Sequence, residues 1–316
     1  MKNFLSRLFL FLVVLYILSI LLDLMVSKGL QSVPKNHLEI LNTIMHDTLN
    51  NDILILGNSR GANAYHPFYL DSILDCNSRN LSVSGQTYRI SNLRYQIYRR
   101  NNIPPKLVIL NIDHIELSSG TLGFEREQYL PYIKDTLVKD VLDINHFTWM
   151  DKHIPMWRYK GAYKYIGMGL CAFFGGCHIK GEQYKGWSKN TGPWNRTNFV
   201  YLLEKEGQIN CSINDTVVDI FDSLLSQLQY ENVQAVMVYS PVYIKVQENM
   251  SPTFDTIMDI YRDFSNKYNV PILDYRSMPI NSDTTYFRDA THLNYIGAEL
   301  FTTKLAHDID SLGLLK

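Results

Sequence analysis

Five short apolar runs, at residues 53–56, 81–83, 107–110, 236–239 and 270–273, alternate with stretches of helical periodicity, and this rhythm limits the chain to few folds. Strands this short and this apolar bury both faces, which requires helices on either side of the sheet, and a strand–helix–strand repeat joins its strands in parallel. Ile90, Leu93 and Ile97 recur at helical spacing among Arg89, Arg94, Arg99 and Arg100, and Pro104-Pro105 stops that helix before the third run. Val217, Ile220, Phe221, Leu224, Leu225 and Leu228 form a helical face that leads into the fourth run. Helices over 254–268 and 294–312 follow it. The expectation is a three-layer α/β/α fold around about five parallel strands.

The rhythm is absent at the N-terminus. Lys2 and Arg7 precede an apolar run from Leu8 to Leu22, broken only by Ser19 and extended past Asp23 by Leu24, Met25 and Val26. A helix needs roughly 20 residues to cross the hydrocarbon, whereas a secretory apolar core has roughly 7–15 and ends in a small-residue cleavage site not found here. Residues 1–28 therefore read as an uncleaved signal anchor and transmembrane helix, with a cleaved signal peptide and a buried core helix as the alternatives. Basic residues before the span predict a cytoplasmic tail and a single-pass protein with its C-terminal domain on the extracytoplasmic side. Residues 29–50 follow as a linker helix with Leu38, Ile40, Leu41, Ile44 and Met45 as its apolar positions, and a domain over 51–316 completes the chain.

A second break, at about 114–212, reads as an insertion within that domain. It contains Trp149, Trp157, Trp187 and Trp194, which could stack on sugars, cap a cleft or form a small aromatic core. Cys76, Cys171, Cys177 and Cys211 lack zinc-site spacing, so no metal is expected; Cys171 and Cys177 can close a small loop outside the cytoplasm or remain thiols. Two glycosylation sequons, at Asn195 and Asn214, match a pattern common by chance. With 30 basic against 31 acidic residues and a net charge of -1, nothing points to a nucleic-acid partner.

Gly57-Asn58-Ser59-Arg60-Gly61 directly follows the first strand and reads as G-x-S-x-G. A serine hydroxyl becomes a useful nucleophile when a histidine, oriented by a carboxylate, accepts its proton. Asp289 and His292 are three residues apart, a spacing that puts both on one face of a helical turn and leaves His292 Nε2 for Ser59. Both ends of this constellation fall at carboxyl ends of strands, where open α/β sheets build their sites. In an α/β-hydrolase several strands precede the nucleophile; here only the anchor and linker do. Asp113-His114 offers a rival base read as supporting structure, Ser240-Pro241 reads as a strand end, and His66-Pro67 as the start of a helix.

The arrangement of Ser59 after the first strand and Asp289-x-x-His292 before the last helix resembles the SGNH/GDSL hydrolase superfamily, over residues 51–113 and 213–312. The resemblance implies a flavodoxin-like sheet, Ser59 as nucleophile in the first block, and an oxyanion donor at Gly85 in the second. It places a third block at Asn111-Ile112-Asp113, with Asn58, Arg60 and Asn111 as candidate oxyanion or substrate contacts, and the last block on Asp289 and His292. By its position Arg60 reads either as a contact to an anionic substrate group or as the surface or salt-bridge residue more usual after a strand. Asn58 stands where the family usually has aspartate, and no G-x-N-D follows Leu110. The anchored layout looks like membrane-attached relatives that modify cell-surface polysaccharides. It implies acyl-ester hydrolysis or O-acetyl transfer on a carbohydrate without a cofactor, with a membrane-bound acyl donor as a possible partner. A non-catalytic scaffold that binds glycan in an export or modification assembly is the alternative.

Overall fold

The computed structural model describes residues 2–34, 36–119, 126–142, 147–176, 183–197 and 207–315. Cys177 lies outside them, so the Cys171–Cys177 pairing does too; Cys171 is a free thiol. The chain divides into two compact units, Met1–Thr43 with Glu125–Gly181, and Ile44–Phe124 with Glu182–Lys316.

In chain order the described elements begin with α1 (Lys2–Gln31), α2 (Asn36–His46), β1 (Ile53–Leu56), α3 (Ser59–Ala64), α4 (Pro67–Leu74), β2 (Ser78–Asn80), α5 (Tyr88–Arg99) and β3 (Leu107–Asn111). The middle of the chain forms α6 (Thr136–Leu142), α7 (Trp149–His153), α8 (Tyr163–Phe173), β4 (Gln183–Tyr184) and β5 (Trp187–Ser188). Then come α9 (Asp215–Tyr230), β6 (Gln234–Tyr239), α10 (Ile244–Gln247), α11 (Thr253–Tyr268), β7 (Ile272–Asp274), β8 (Phe287–Asp289), β9 (His292–Leu293) and α12 (Tyr295–Ser311).

Five parallel strands, in the order β2-β1-β3-β6-β7, form the sheet of the larger unit. The alternation of side chains along a strand sends Ile53, Ile55, Leu107, Ile109, Val236 and Val238 to one face, against Leu70 of α4 and Phe301, Leu305 and Ile309 of α12. On the helices of the opposite layer Phe221 packs on Tyr88, Tyr261 and Phe264. The three-layer α/β/α architecture is thus the one expected. Strands β1 and β3 are buried throughout, which is why their apolar runs were legible.

The edge strands differ from expectation. The second strand is Ser78–Asn80 rather than 81–83, because a strand paired on one side needs no continuous apolar run. Leu81 and Val83 continue beside β1 all the same, donating their N–H groups to Ile55 O and Gly57 O at 2.8 Å each. The last strand starts at Ile272 rather than Val270, since Pro271 has no N–H to give; its carbonyl accepts from Met237.

A β4–β5 hairpin covers the free edge of β2. Lys185 and Gly186 both have positive φ, the Lys185 carbonyl accepts from Asn80 N, and a Cβ at Gly186 would stand 1.9 Å from Asn80 O. The hairpin places Trp187 in the core, with its Nε1 on Asn63 O and its ring stacked on His66 at 3.8 Å. His66 in turn caps α4 by accepting from Phe68 N.

In the smaller unit the last third of α1 is part of the packing. Val26 and Leu30 are fully buried, and Asp23 pairs with Arg158 while accepting from Met156 N. Ser27 Oγ bonds Tyr159 OH at 2.8 Å. Gly29 and Gly169 let α1 and α8 touch backbone to backbone, since a Cβ on Gly29 would lie 1.7 Å from Gly169 O. The apolar helix runs three residues beyond the predicted anchor, to Gln31, and Asn42 of α2 closes the turn by donating to Leu30 O and Val33 O.

Burial holds the His66 imidazole down to about 4, against the partial opposition of the Glu299 and Asp71 carboxylates. Between its ordinary 6.5 and about 4 the unfolded chain binds a proton that the folded chain does not, so stability falls as pH drops through that window. His66→Asn keeps a capping side chain and removes this titration. Urea midpoints measured between about pH 7 and pH 4 should fall less steeply for the variant than for the parent; equal slopes would contradict the assignment.

Candidate active site

The end of β1 runs through Gly57 into α3, and the turn is built so that Ser59 is the first helical residue. Asn58 is the N-cap, its Oδ1 accepting from Arg60 N at 2.8 Å. Ser59 N–H is therefore one of the donors that a helix start leaves without an intrahelical acceptor. The two glycines of the G-x-S-x-G pattern have packing causes. A Cβ at Gly57 would lie 2.6 Å from Asn111 Cβ, and one at Gly61 would lie 2.4 Å from Ser82 Oγ.

Asp289 and His292 come from the other end of the chain. They face each other across the two-residue turn of the β8–β9 hairpin, not on the helical turn their spacing suggested. The Asp289 side chain organises that turn, with Oδ1 accepting from Thr291 N and His292 N at 3.1 Å each. His292 Nδ1 lies 2.8 Å from Asp289 Oδ1, and His292 Nε2 lies 2.7 Å from Ser59 Oγ. Burial pushes the Asp289 carboxyl up, but the His292 hydrogen bond and charge and the Thr291 donors outweigh it and hold the pKa below the ordinary value. Asp289 thus stays an anion that fixes the imidazole with Nδ1 as donor and Nε2 as acceptor for the serine proton. Ser59 and His292 are both partly exposed, so a substrate can reach them from solvent.

Gly85 sits in the turn after Val83, whose bond to Gly57 O ties that turn to the same end of β1. Its φ of 68° is one that glycine adopts without strain. The serine turn and the Gly85 turn flank the point where sheet order reverses between β1 and β3, the usual location of sites on such sheets.

Asn58 and Asn111 are placed differently from the substrate contacts expected of them, because both are buried, and Arg60, also buried, takes the salt-bridge alternative rather than a substrate contact. Asn111 Oδ1 accepts from Tyr65 OH at 3.0 Å and Ser240 Oγ at 3.1 Å, and its Nδ2 faces Glu116 at 3.4 Å. Asn58 donates its N–H to Glu116 Oε1 at 2.6 Å and its Nδ2 to Asp113 Oδ2 at 2.8 Å. Arg60 turns inward, donating to Ser240 O, lying 3.5 Å from Asp113 Oδ2 and covering the Tyr239 ring at 4.5 Å. Asn111 ends β3, Asn58 caps α3 and Arg60 lies in its first turn, and all three side chains are buried in the packing there.

This knot joins the carboxyl ends of β1, β3 and β6 beneath Ser59. Burial pushes the Asp113 carboxyl up, but Arg60, His114 and Asn58 overcome it and hold the pKa down. Burial and the Asp113 charge push the Glu116 carboxyl well above its usual range, toward the protonated form. Burial, with the Arg60 charge, also lowers the His114 imidazole, against the pull of Asp113. Asp113-His114 is the supporting structure that the sequence suggests and Ser240 directly follows the end of β6 as expected, but the sequence does not single out Glu116. The one available signal was that Glu116 is a lone carboxylate just past an apolar strand, which says little.

The insertion's aromatic residues separate. Trp187 is core, as described, while Trp194 lies edge-on to Tyr243 at 5.1 Å and Tyr243 N donates to Ala290 O, in the turn that presents His292. Asn195 N donates to Arg288 O at 2.6 Å, so this strip runs alongside β8. Among the described residues no group of three His, Cys, Asp or Glu side chains could hold a metal ion.

Arg60→Met should cost about 3–5 kcal/mol, because it leaves the Asp113 charge buried without its partner. Glu116→Gln preserves the acceptor for Asn58 N and imitates the protonated acid that the raised pKa favours, so its urea midpoint should stay near the parent's. Similar losses in both would mean that Glu116 carries a charge.

No protein-family model matches the chain, and no curated protein matches it. Solved structures with similar folds include an acetyl xylan esterase at 12% identity, covering 82% of this chain and 98% of that one with a TM-score of 0.41. A lipase/acylhydrolase from Enterococcus faecalis is 12% identical over 82% of this chain and 96% of its own, with a TM-score of 0.39. A family two carbohydrate esterase from Clostridium thermocellum, in complex with cellohexaose, is 10% identical over 85% of this chain and 66% of its own, at 0.42.

Proposed function

We propose that this chain is an SGNH-type serine esterase or O-acyltransferase acting on an acylated, typically acetylated, cell-surface carbohydrate. The observation that carries the reading is the continuous path from Ser59 Oγ through His292, at 2.7 Å, to Asp289, at 2.8 Å. Ser59 Oγ attacks the acyl carbonyl while His292 Nε2 takes its proton. The N–H groups of Ser59 and Gly85 receive the oxyanion, which the buried Asn111 leaves without a side-chain donor. His292 then protonates the departing alkoxide, leaving an acyl-serine. Water or a sugar hydroxyl gives its proton to His292, attacks the acyl carbon and releases Ser59. The alternative, a non-catalytic scaffold, has its main support in the missing third block, whereas the hydrogen-bonded serine and histidine support the enzymatic reading.

The membrane-anchored reading draws on α1, which is long and apolar enough to span a bilayer. Its last third supplies Val26 and Leu30 to the core of the smaller unit, so removal as a signal peptide would take part of that unit with it. Lys2 and Arg7 ahead of the apolar run support a C-terminal domain on the extracytoplasmic side, where a membrane-bound partner could deliver an acyl donor.

Turnover of a chromogenic acetyl ester by the full chain in detergent micelles tests the enzymatic reading. Ser59→Ala and His292→Ala should each lower kcat by at least about 10³-fold, and Asp289→Asn by roughly 10⁴-fold through the wrong imidazole tautomer. Unchanged rates in the serine and histidine variants would sink it.

A further inference from the structure

We propose that residues 149–174, carrying α7 and α8, lie in the headgroup–acyl boundary of the bilayer that α1 spans, as an interfacial element fixed to the anchor. The inference rests on the membrane-anchored reading of α1 and adds a second lipid-contacting surface to it.

Helix geometry locates the boundary. At about 1.5 Å per residue, roughly 20 residues cross a hydrocarbon core of about 30 Å. Leu5, Phe9, Leu12 and Leu18 are exposed along that stretch of α1, which gives it a surface that only lipid suits. Protein contact starts where the span ends, with Asp23, Val26, Ser27, Gly29 and Leu30 buried. The Asp23–Arg158 ion pair and the Gly29–Gly169 contact hold residues 156–173 against this portion of the helix. The packed segment is therefore continuous with the lipid-facing surface of α1, at the level where the hydrocarbon gives way to headgroups.

Its composition matches that level. Trp149, Trp157, Tyr163, Phe173 and Phe174 are all exposed, Tyr163 to 77% and Phe174 to 73%. So many large apolar side chains within one short segment are unusual on a surface facing only water. Aromatic rings of this kind concentrate at the membrane–water interface. Lys152, Lys160 and Lys164 supply cations there, and Lys160 Nζ rests over the Trp157 ring at 4.9 Å. Asp151 is the one carboxylate in this segment, and it is spent on the Thr148 capping box and Arg126. An aromatic, cationic face with no free carboxylate suits an interface about 5–10 Å deep, including one with anionic headgroups.

The test uses the full chain reconstituted in vesicles of phosphatidylcholine and phosphatidylglycerol, with and without lipid brominated near the carbonyl end of the acyl chain. Co-flotation of the chain with vesicles after an alkaline wash checks the anchor first. Tryptophan emission of the parent should then be quenched by the brominated lipid. In Trp149→Phe/Trp157→Phe, which leaves Trp187 and Trp194, most of that quenching should vanish. A chain that fails to co-float overturns both the anchor and this inference. A co-floating chain whose emission ignores brominated lipid overturns this inference alone, as does equal quenching in the variant. In the former case, quenching by aqueous acrylamide would mean that the face is open to water, and shielding from both quenchers would mean that a second copy or another protein covers it.

Discussion

The position of Ser59 depends on one buried interaction, the grip of Glu116 and Asp113 on Asn58. A serine that opens a helix directly after a strand is set by how that turn is held. Here the turn residue gives its backbone N–H to Glu116 and its amide to Asp113, while its own oxygen caps the helix. The backbone N–H and the side-chain amide of Asn58 are both engaged, in a place where an unmade hydrogen bond costs about 1–3 kcal/mol. Arg60 balances the Asp113 charge and anchors to the end of β6 through Ser240. The strand ends and the start of α3 are thus locked together, and the serine on top inherits their rigidity. This is the support a hydrogen-bonded triad needs if its three members are to keep their spacing.

What could be read from the sequence follows the same physics. Central strands β1 and β3 are buried on both faces, and burial on both faces writes itself as Ile-Leu-Ile-Leu and Leu-Val-Ile-Leu. Edge strands carry no such obligation, so Ser78–Asn80 was invisible and its apolar continuation was taken in its place. The spacing of Asp289 and His292 was legible because a carboxylate must be near the imidazole it orients. The local shape was not, since i and i+3 meet across a two-residue hairpin as well as on a helix. The resemblance offers Asn58 and Asn111 as oxyanion or substrate contacts, while the salt-bridge reading of Arg60 is the one its pairing with Asp113 matches. Only the three-dimensional packing of three strand ends shows that such residues can equally be the buried frame. The G-x-S-x-G letters belong to the same lesson, because Gly57 and Gly61 answer to Asn111 and Ser82 rather than to a nucleophile elbow.

The division of the middle of the chain is also physical. Residues 183–195 add a hairpin to an open sheet edge and a strip beside β8, so they complete the larger unit. Residues 126–176 instead give the C-terminal third of α1 something to pack on. A single insertion by sequence therefore serves two cores. Its tryptophans cannot share one role, since Trp187 fills space under a hairpin while Trp149 stands exposed on the other unit.

On the proposed reading, the choice between hydrolysis and transfer is decided after the acyl-serine forms, when His292 can activate either water or a sugar hydroxyl. Neither the base nor the nucleophile is sealed off, His292 keeping 22% of its side-chain surface accessible. In an open site water is always present, so transfer competes only if the acceptor is held in attacking position long enough to raise its effective concentration. On this reading the part-exposed Trp194 and its neighbour Tyr243, whose N–H bonds Ala290 O in the turn before His292, are candidates to hold a sugar face there. Acceptor choice would then be governed by a strip that runs alongside β8 and takes no part in the proton transfers. On the proposed reading, that separation would let one triad serve as esterase or transferase through changes confined to its flank.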